Sequence, residues 1–255
     1  MDTSGYMDTA LRAARAAGDL LRAEFGRELR VDSAEQFDLK LELDVRSQRL
    51  ISEILLADHP GHAVLGEEGR AGQPDAEFEW IVDPIDGTVN FYYNIPHFCI
   101  SIALRHGARN VLGVIYDPML DELWQVAGGG PATLNGRPIS VSPRTRLCEA
   151  VLTVGFAKSE STIDAGLPLL TKYVYKARKC RMMGSAALGM AYVACGRLDA
   201  FIESGISIWD VAAGMALVEA AGGRVLTRDS DSAPGRMAIT AWNGRLDLEM
   251  EDDTL

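Results

Sequence analysis

Trp80 to Phe91 reads Trp-Ile-Val-Asp-Pro-Ile-Asp-Gly-Thr-Val-Asn-Phe, with two carboxylates, Asp83 and Asp86, where an apolar run ends. The run Trp80-Ile81-Val82 predicts a buried strand. Carboxylates at such a strand end cannot be buried cheaply unless they are paired or bound to a cation. Pro84 stiffens the turn, and Gly87 admits backbone shapes that other residues resist. Gly87 and Thr88 then offer backbone N–H groups and a hydroxyl at a predicted helix start, which is an anion site. Carboxylates for a hard metal beside donors for a phosphate point to metal-assisted phosphoester chemistry.

Two further acidic groups invite assembly with this one. Glu67 and Glu68 follow Gly66 at the end of a predicted strand, His62–Leu65. Asp210 lies near the start of a predicted helix, where the helix dipole favours a carboxylate. Each feature alone has a plainer explanation. Asp210 reads as a first-turn acid, Glu67-Glu68 as a solvated turn between glycines, and Asp83-Asp86 as an Asx-type turn around Pro84. Only the three together, with phosphate-binding residues attached, make a metal site.

The elements that must position these residues follow from periodicity. Met7–Phe25 predicts an amphipathic helix with Leu11, Ala14, Leu21 and Phe25 near one face. Asp44 is placed to cap a second helix through Leu50, Ile51, Ile54 and Leu55, ending near Pro60. Phe78–Val82 is the strand that delivers Asp83. Strands at Phe98–Leu104, Asn110–Tyr116 and Glu122–Val126 form an antiparallel meander, and Asn135-Gly136 marks a tight turn. Beyond about residue 145 strands and helices alternate. Strands are expected at Val151–Phe156, Cys180–Met183, Arg197–Ile202, Gly223–Thr227 and Met237–Ala241. Helices are expected at Asp164–Lys176, Gly184–Cys195 and Ile206–Ala221. This alternation predicts an α/β chain with helical and sheet layers. Its N-terminal half (1–145) is α+β and its C-terminal half (146–255) is α/β, within one domain over 1–255. The active site is expected between the halves.

The chain has 255 residues, 47% of them hydrophobic, enough for a substantial core. Lys and Arg total 25 against 36 Asp and Glu, a formal charge of -11. That balance disfavours nucleic acid or an anionic membrane as the main partner. Cys99, Cys148, Cys180 and Cys195 are scattered, which reads as buried reduced thiols and not as a zinc site. His59, His62, His97 and His106 lack ligand spacing and read as surface or packing residues. No stretch reaches the ~18 apolar residues of a membrane span, and none at the N-terminus reads as a signal peptide. A soluble cytoplasmic protein is expected, with a solvated acidic tail at Glu249–Asp253.

Asp83-Pro84-Ile85-Asp86-Gly87-Thr88, the upstream Gly66-Glu67-Glu68, and Trp209-Asp210 with Ala220-Ala221-Gly222-Gly223 downstream resemble the inositol monophosphatase family. The likeness is collinear over roughly residues 8 to 245. It implies the layered fold shared with fructose bisphosphatases, two to three Mg²⁺ ions, lithium sensitivity and a homodimer. Apolar and aromatic residues of the meander are candidates for the dimer interface. The resemblance implies that Glu67, Asp83 and the carbonyl of Ile85 hold one ion, and that Asp83, Asp86 and Asp210 hold a second. A third, weaker ion would sit near Glu67 through waters. By the same resemblance, the N–H groups of Gly87 and Thr88 cradle the phosphate. Thr88 and Glu67 orient the attacking water, with Asp44 bonded to Thr88. Gly184, Ser185 and Ala186 give the sugar ring room, and Glu203 accepts from substrate hydroxyls.

The chain departs from the family in having Leu41 where a Thr is common three residues before Asp44. It also has Ser33 or its neighbours where a loop Lys is common, and the register of Lys40 does not match that role. The implied substrate is a small polyol phosphate, with myo-inositol monophosphate foremost because Val89-Asn90-Phe91 resembles that branch. Histidinol phosphate, fructose 1,6-bisphosphate and 3′(2′),5′-bisphosphate nucleotides are the alternatives. A different reading is a protein-binding regulatory role, since some relatives are implicated in RNA-polymerase-associated regulation.

Overall fold

The structure, a computed structural model, describes residues 3–34, 39–156, 159–233 and 235–249. Residues 250–253 of the expected acidic tail lie outside it. In chain order the elements are α1 (Ser4–Glu24), β1 (Val31–Ala34), β2 (Leu39–Leu41), α2 (Glu42–Asp58), β3 (Ala63–Gly66), β4 (Gly69–Gly72) and β5 (Phe78–Asp86). There follow α3 (Thr88–Tyr92), β6 (Cys99–His106), β7 (Arg109–Asp117), β8 (Glu122–Ala127), β9 (Thr133–Leu134) and β10 (Arg137–Pro138). The C-terminal half holds β11 (Val151–Val154), α4 (Glu160–Val174), β12 (Lys179–Arg181), α5 (Ala186–Ala194), β13 (Ala200–Ile206), α6 (Ile208–Ala220), β14 (Arg224–Asp229) and β15 (Met237–Trp242).

An eight-stranded sheet runs in the order β10-β9-β8-β7-β6-β5-β3-β4, and a five-stranded sheet in the order β12-β11-β13-β15-β14. Successive residues of β5 show why the layers stack. Trp80 and Val82 pack with α1 and α2, whereas Ile81 packs with α5 and α6 on the opposite face. The larger sheet is therefore covered on both sides. Helices α5 and α6 also pack against Phe201, Ile239 and Ala241 of the second sheet. The outer face of that sheet buries Leu152, Ala200 and Ile202 with Tyr173 of α4. The α/β class and its alternating layers are thus as expected.

Asn135 and Gly136 both have positive φ, 48° and 74°, in the turn joining β9 to β10. That is the type I′ hairpin geometry for which Asn-Gly is the preferred sequence.

Several expectations are corrected. The helix expected from Gly184 starts at Ala186, because Gly184 has φ 75° and Ser185 is the N-cap. The strand expected from Arg197 begins at Ala200. Leu104, Val114, Ile115 and Trp124 of the meander are fully buried between the helical layers. Among the cysteines only Cys99 is buried, and Cys148 is exposed.

Three of the four histidines serve packing. His59, His62, Phe78 and His106 form a stacked ladder with ring centroids 5.0, 5.1 and 4.7 Å apart, and Tyr6 and Trp80 lie alongside. Burial lowers the pKa of both His59 and His62, and their mutual repulsion lowers His62 further. The unfolded chain protonates these rings below 6.5, but the folded chain resists until lower pH. Their contribution to stability is intact above 6.5 and is lost as pH falls through the depressed folded values. The urea midpoint is expected to drop between pH 7.5 and 5.5, and to drop less in His62→Phe, which keeps the stacking.

Candidate active site

The site begins where two parallel strands end side by side. Gly66 of β3 lies opposite Val82 of β5, and the Glu67 N–H donates to the Val82 carbonyl at 3.2 Å. Glu67 thus leaves its strand beside Asp83. Gln48 of α2 fastens this corner, accepting from the Glu68 N–H at 2.8 Å and donating to the Gly69 carbonyl at 3.1 Å.

β5 then carries a bulge. Asp83 is opposite Ser101 and Asp86 is opposite Cys99, so three residue steps on β5 span two on β6. In a regular strand Asp83 and Asp86 would face opposite sides of the sheet. The inserted residue re-aims the chain so that both carboxylates reach one site. Pro84 is at ease here because it has no N–H to leave unpaired. The Ile85 N–H donates to Asp83 Oδ1 at 3.0 Å. The Asx turn and the assembled carboxylates therefore coexist.

The third carboxylate comes from α6. Asp210, the third residue of that helix, accepts from the Ser207 N–H at 2.9 Å. Asp83, Asp86 and Asp210 each place an oxygen within 4.8 Å of the others, and Asp83 and Asp86 are buried. Three anions so close repel strongly where water is scarce. An all-oxygen carboxylate set matches a hard divalent cation such as Mg²⁺. The donor chemistry therefore fits the metal.

Asp86 is held by the start of α5. It accepts from Ser185 Oγ at 2.5 Å, the Ala187 N–H at 2.7 Å and the Ala186 N–H at 3.1 Å. The Cys99 thiol lies 3.6 Å away as a weaker donor. Burial nevertheless raises the Asp86 pKa and outweighs these bonds. Ser185 and Ala186 thus orient a carboxylate of the cleft.

Asp44 and Thr88 meet as the resemblance implies. Thr88 Oγ1 donates to the Ile85 carbonyl at 2.9 Å and lies 3.4 Å from Asp44 Oδ1. Asp44 is not the cap of α2 but its third residue, accepting from the Leu41 N–H at 2.7 Å. The N-cap itself is Leu41, whose fully buried side chain fills the core, which accounts for the absence of a capping hydroxyl. Desolvation pushes the Asp44 pKa up to about 7, with Glu67 and Glu68 adding repulsion.

These residues open on a cleft of 380 Å³. Glu67, Asp83, Asp86, Thr88 and Asp210 line one part of it, and Gly155, Phe156, Met183, Glu203 and Arg236 line another. Glu203 has room because residue 155 is glycine: a Cβ there would lie 1.9 Å from its Oε2. Gln48, Asn90, Phe156 and Arg236 have no counterpart among the sequence-derived candidates. Asn90 joins the halves, donating to the carbonyls of His97 at 2.8 Å and Met183 at 3.0 Å. Gln48 had a local signal, being one helical turn after Asp44 on the same face of α2. Arg236 had none.

The comparisons agree with this architecture. The model of the inositol monophosphatase family matches residues 2–249. An inositol monophosphatase from Mesembryanthemum crystallinum is 38% identical over 247 residues, 93% of this chain and 92% of that protein. The Nus factor SuhB of Xylella fastidiosa is 39% identical over 227 residues, 88% of this chain and 82% of that protein. The crystal structure of the extragenic suppressor protein suhB from Bartonella henselae superposes with a TM-score of 0.88 at 34% identity, covering 95% of each chain. With the family model spanning nearly the whole sequence and the likeness extending to sequence and fold alike, this chain belongs to the inositol monophosphatase family, a family of phosphoric monoester hydrolases.

Proposed function

We propose that the chain hydrolyses the phosphomonoester of a small polyol phosphate, with myo-inositol monophosphate the foremost substrate. The observation that carries this reading is the convergence of Asp83, Asp86 and Asp210 within 4.8 Å, in a cleft that also holds Thr88 and Glu203. Asp83, Asp86, Asp210, Glu67 and the Ile85 carbonyl would hold two to three Mg²⁺ ions. When bound, they supply the positive charge that makes water a nucleophile near neutral pH and offsets charge developing on the phosphoryl oxygens.

The remaining roles belong to this chain's own groups. The Gly87 and Thr88 N–H groups hold the phosphate in line for attack. Thr88 Oγ1, oriented by Ile85 and Asp44, accepts from the attacking water, and Glu67 takes its proton. Glu203 accepts from hydroxyls of the leaving alcohol. The lining of Gly155, Phe156 and Met183 excludes water around it. Lithium inhibition, a homodimer and a cytoplasmic setting extend this reading and rest on family likeness.

Phosphate release from inositol 1-phosphate, histidinol phosphate, fructose 1,6-bisphosphate and adenosine 3′,5′-bisphosphate, with Mg²⁺ and with chelator, tests the proposal. A Mg²⁺-dependent preference for the first supports it, and equal rates on all four would sink the substrate assignment. Glu203→Gln is expected to raise KM for the preferred substrate about tenfold with kcat little changed, since it weakens a charge-assisted hydrogen bond. An unchanged KM removes Glu203 from substrate binding.

A second reading follows from the relative named as a Nus factor: the chain also acts by binding a protein partner. Asp83→Asn separates the two, because it removes the hydrolytic centre and leaves the surface intact.

A further inference from the structure

The cleft carries a charge that its metal-holding residues do not explain. Among its described lining residues, Glu67, Asp83, Asp86, Glu203 and Asp210 are acidic and Arg236 is the only cation. Arg236 immediately precedes β15, next to a bulge on β13. Glu203 lies opposite Ile239 and Ile206 opposite Met237, so three residue steps on β13 span two on β15. Within that bulge is Gly205, whose carbonyl accepts from Arg236 Nη1 at 3.3 Å. The backbone that carries Arg236 is braced. Its N–H donates to the Ala233 carbonyl at 3.0 Å, and its carbonyl accepts from the Ser230 N–H at 2.9 Å. The hydroxyls of Ser230 and Ser232 both donate to the Ser204 carbonyl on β13.

The guanidinium so placed is under-used. It offers five N–H donors in a planar fork. Among the described residues it makes one hydrogen bond, to a neutral carbonyl, and forms no ion pair, even with the five carboxylates of its own cleft. Arg236 is half-buried, and a cation drawn partly out of water is costly unless an anion answers it. It lies in the part of the cleft with Phe156, Met183 and Glu203, where the leaving alcohol is placed.

We infer that Arg236 is a specificity-determining residue, which binds a second anionic group, phosphate or carboxylate, carried by the leaving alcohol. This deepens the proposed phosphatase reading and rests on it. The physical reason is complementarity. Phosphate and carboxylate each present two oxygens that match the guanidinium fork and accept two parallel bonds. Glu203 alone would repel such a group, and Arg236 supplies the opposing charge in the same part of the cleft. A neutral polyol offers the fork only hydroxyls and gains less from it.

The test is steady-state hydrolysis by the full-length chain with Mg²⁺, on two matched pairs of compounds. Inositol 1,4-bisphosphate is set against inositol 1-phosphate, and 6-phosphogluconate against sorbitol 6-phosphate. The members of each pair differ only in the second anionic group, and the readout is the ratio of kcat/KM, charged over neutral. Arg236→Met is expected to lower that ratio about 30-fold, chiefly through KM, as the loss of charge-assisted bidentate bonds does. Arg236→Lys keeps the charge without the fork and should lower it about threefold. A fall confined to the first pair identifies phosphate as the group held, and one confined to the second identifies carboxylate. Arg236→Gln carries the test if Arg236→Met does not fold, since its amide keeps a donor for the Gly205 carbonyl. The same ratio in wild type and variants would overturn the inference, even if every rate fell together, and would leave Arg236 as a structural prop of Gly205. A wild type that hydrolyses only the neutral members would overturn it as well. No Mg²⁺-dependent release from any of the four compounds would instead overturn the phosphatase reading, and this inference with it.

Discussion

Asp83→Asn is expected to lower kcat by about 10³-fold or more, because it removes charge from the proposed metal-holding set and several kcal/mol of charge stabilisation go with it. The substitution is nearly isosteric. Asn Oδ1 can still accept from the Ile85 N–H, the bond that Asp83 Oδ1 makes at 3.0 Å. The turn should therefore survive, and a loss of activity reports on charge and not on folding. The metal-free melting temperature gives the control. Asp83 is 1% exposed and shares its site with Asp86 and Asp210. Removing one of three crowded negative charges relieves repulsion, so the metal-free variant should melt no lower than metal-free wild type. In calorimetry it should bind Mg²⁺ far more weakly. Activity within tenfold of wild type would dismiss the carboxylate cluster as the catalytic centre.

Gly87→Ala is expected to destabilise the chain by about 2–3 kcal/mol, from strain and crowding together. It should also lower kcat about 100-fold, as a displacement of about 1 Å does in a positioned site. Gly87 has φ 99° and ψ 36°, a region that L side chains avoid. An added Cβ would lie 3.0 Å from the His97 carbonyl oxygen and 3.2 Å from that of Gly184. Both neighbours are backbone, so neither yields as a flexible side chain would. Relief must come from moving the Asp86–Thr88 turn, and with it Thr88. Urea denaturation and steady-state kinetics on the same preparation separate the two effects. A stable variant with normal kcat would show that the positive-φ turn is not needed to aim Thr88.

The sequence by itself carried what is local. The run Trp80-Ile81-Val82 announced the strand ending in Asp83, Gly66-Glu67-Glu68 announced a second strand end, and Asp210 announced a helix start. Asn135-Gly136 announced its turn. In each case the signal is a side-chain period or a backbone preference spanning a few residues. Sequence likeness supplied the layered fold and the residues to watch.

Only the tertiary structure decided how those residues meet. The bulge between Asp83 and Asp86 depends on pairing with Ser101 and Cys99, so the strand period alone assigned the two carboxylates no common face. The exposed edge strand β4 has no buried face to leave a pattern. Among the described residues, strands β1 and β2 pair only with each other, over a few residues. Leu41 looked like a missing hydroxyl and is a core side chain, fully buried in a cluster that includes residues of α1, α2 and the large sheet. Lys40 looked out of register, yet its partner Glu68 arrives from the end of β3 and not from its own segment. Contacts between segments far apart in the chain are set by sheet order and helix packing, and neither is written in the spacing of neighbouring residues.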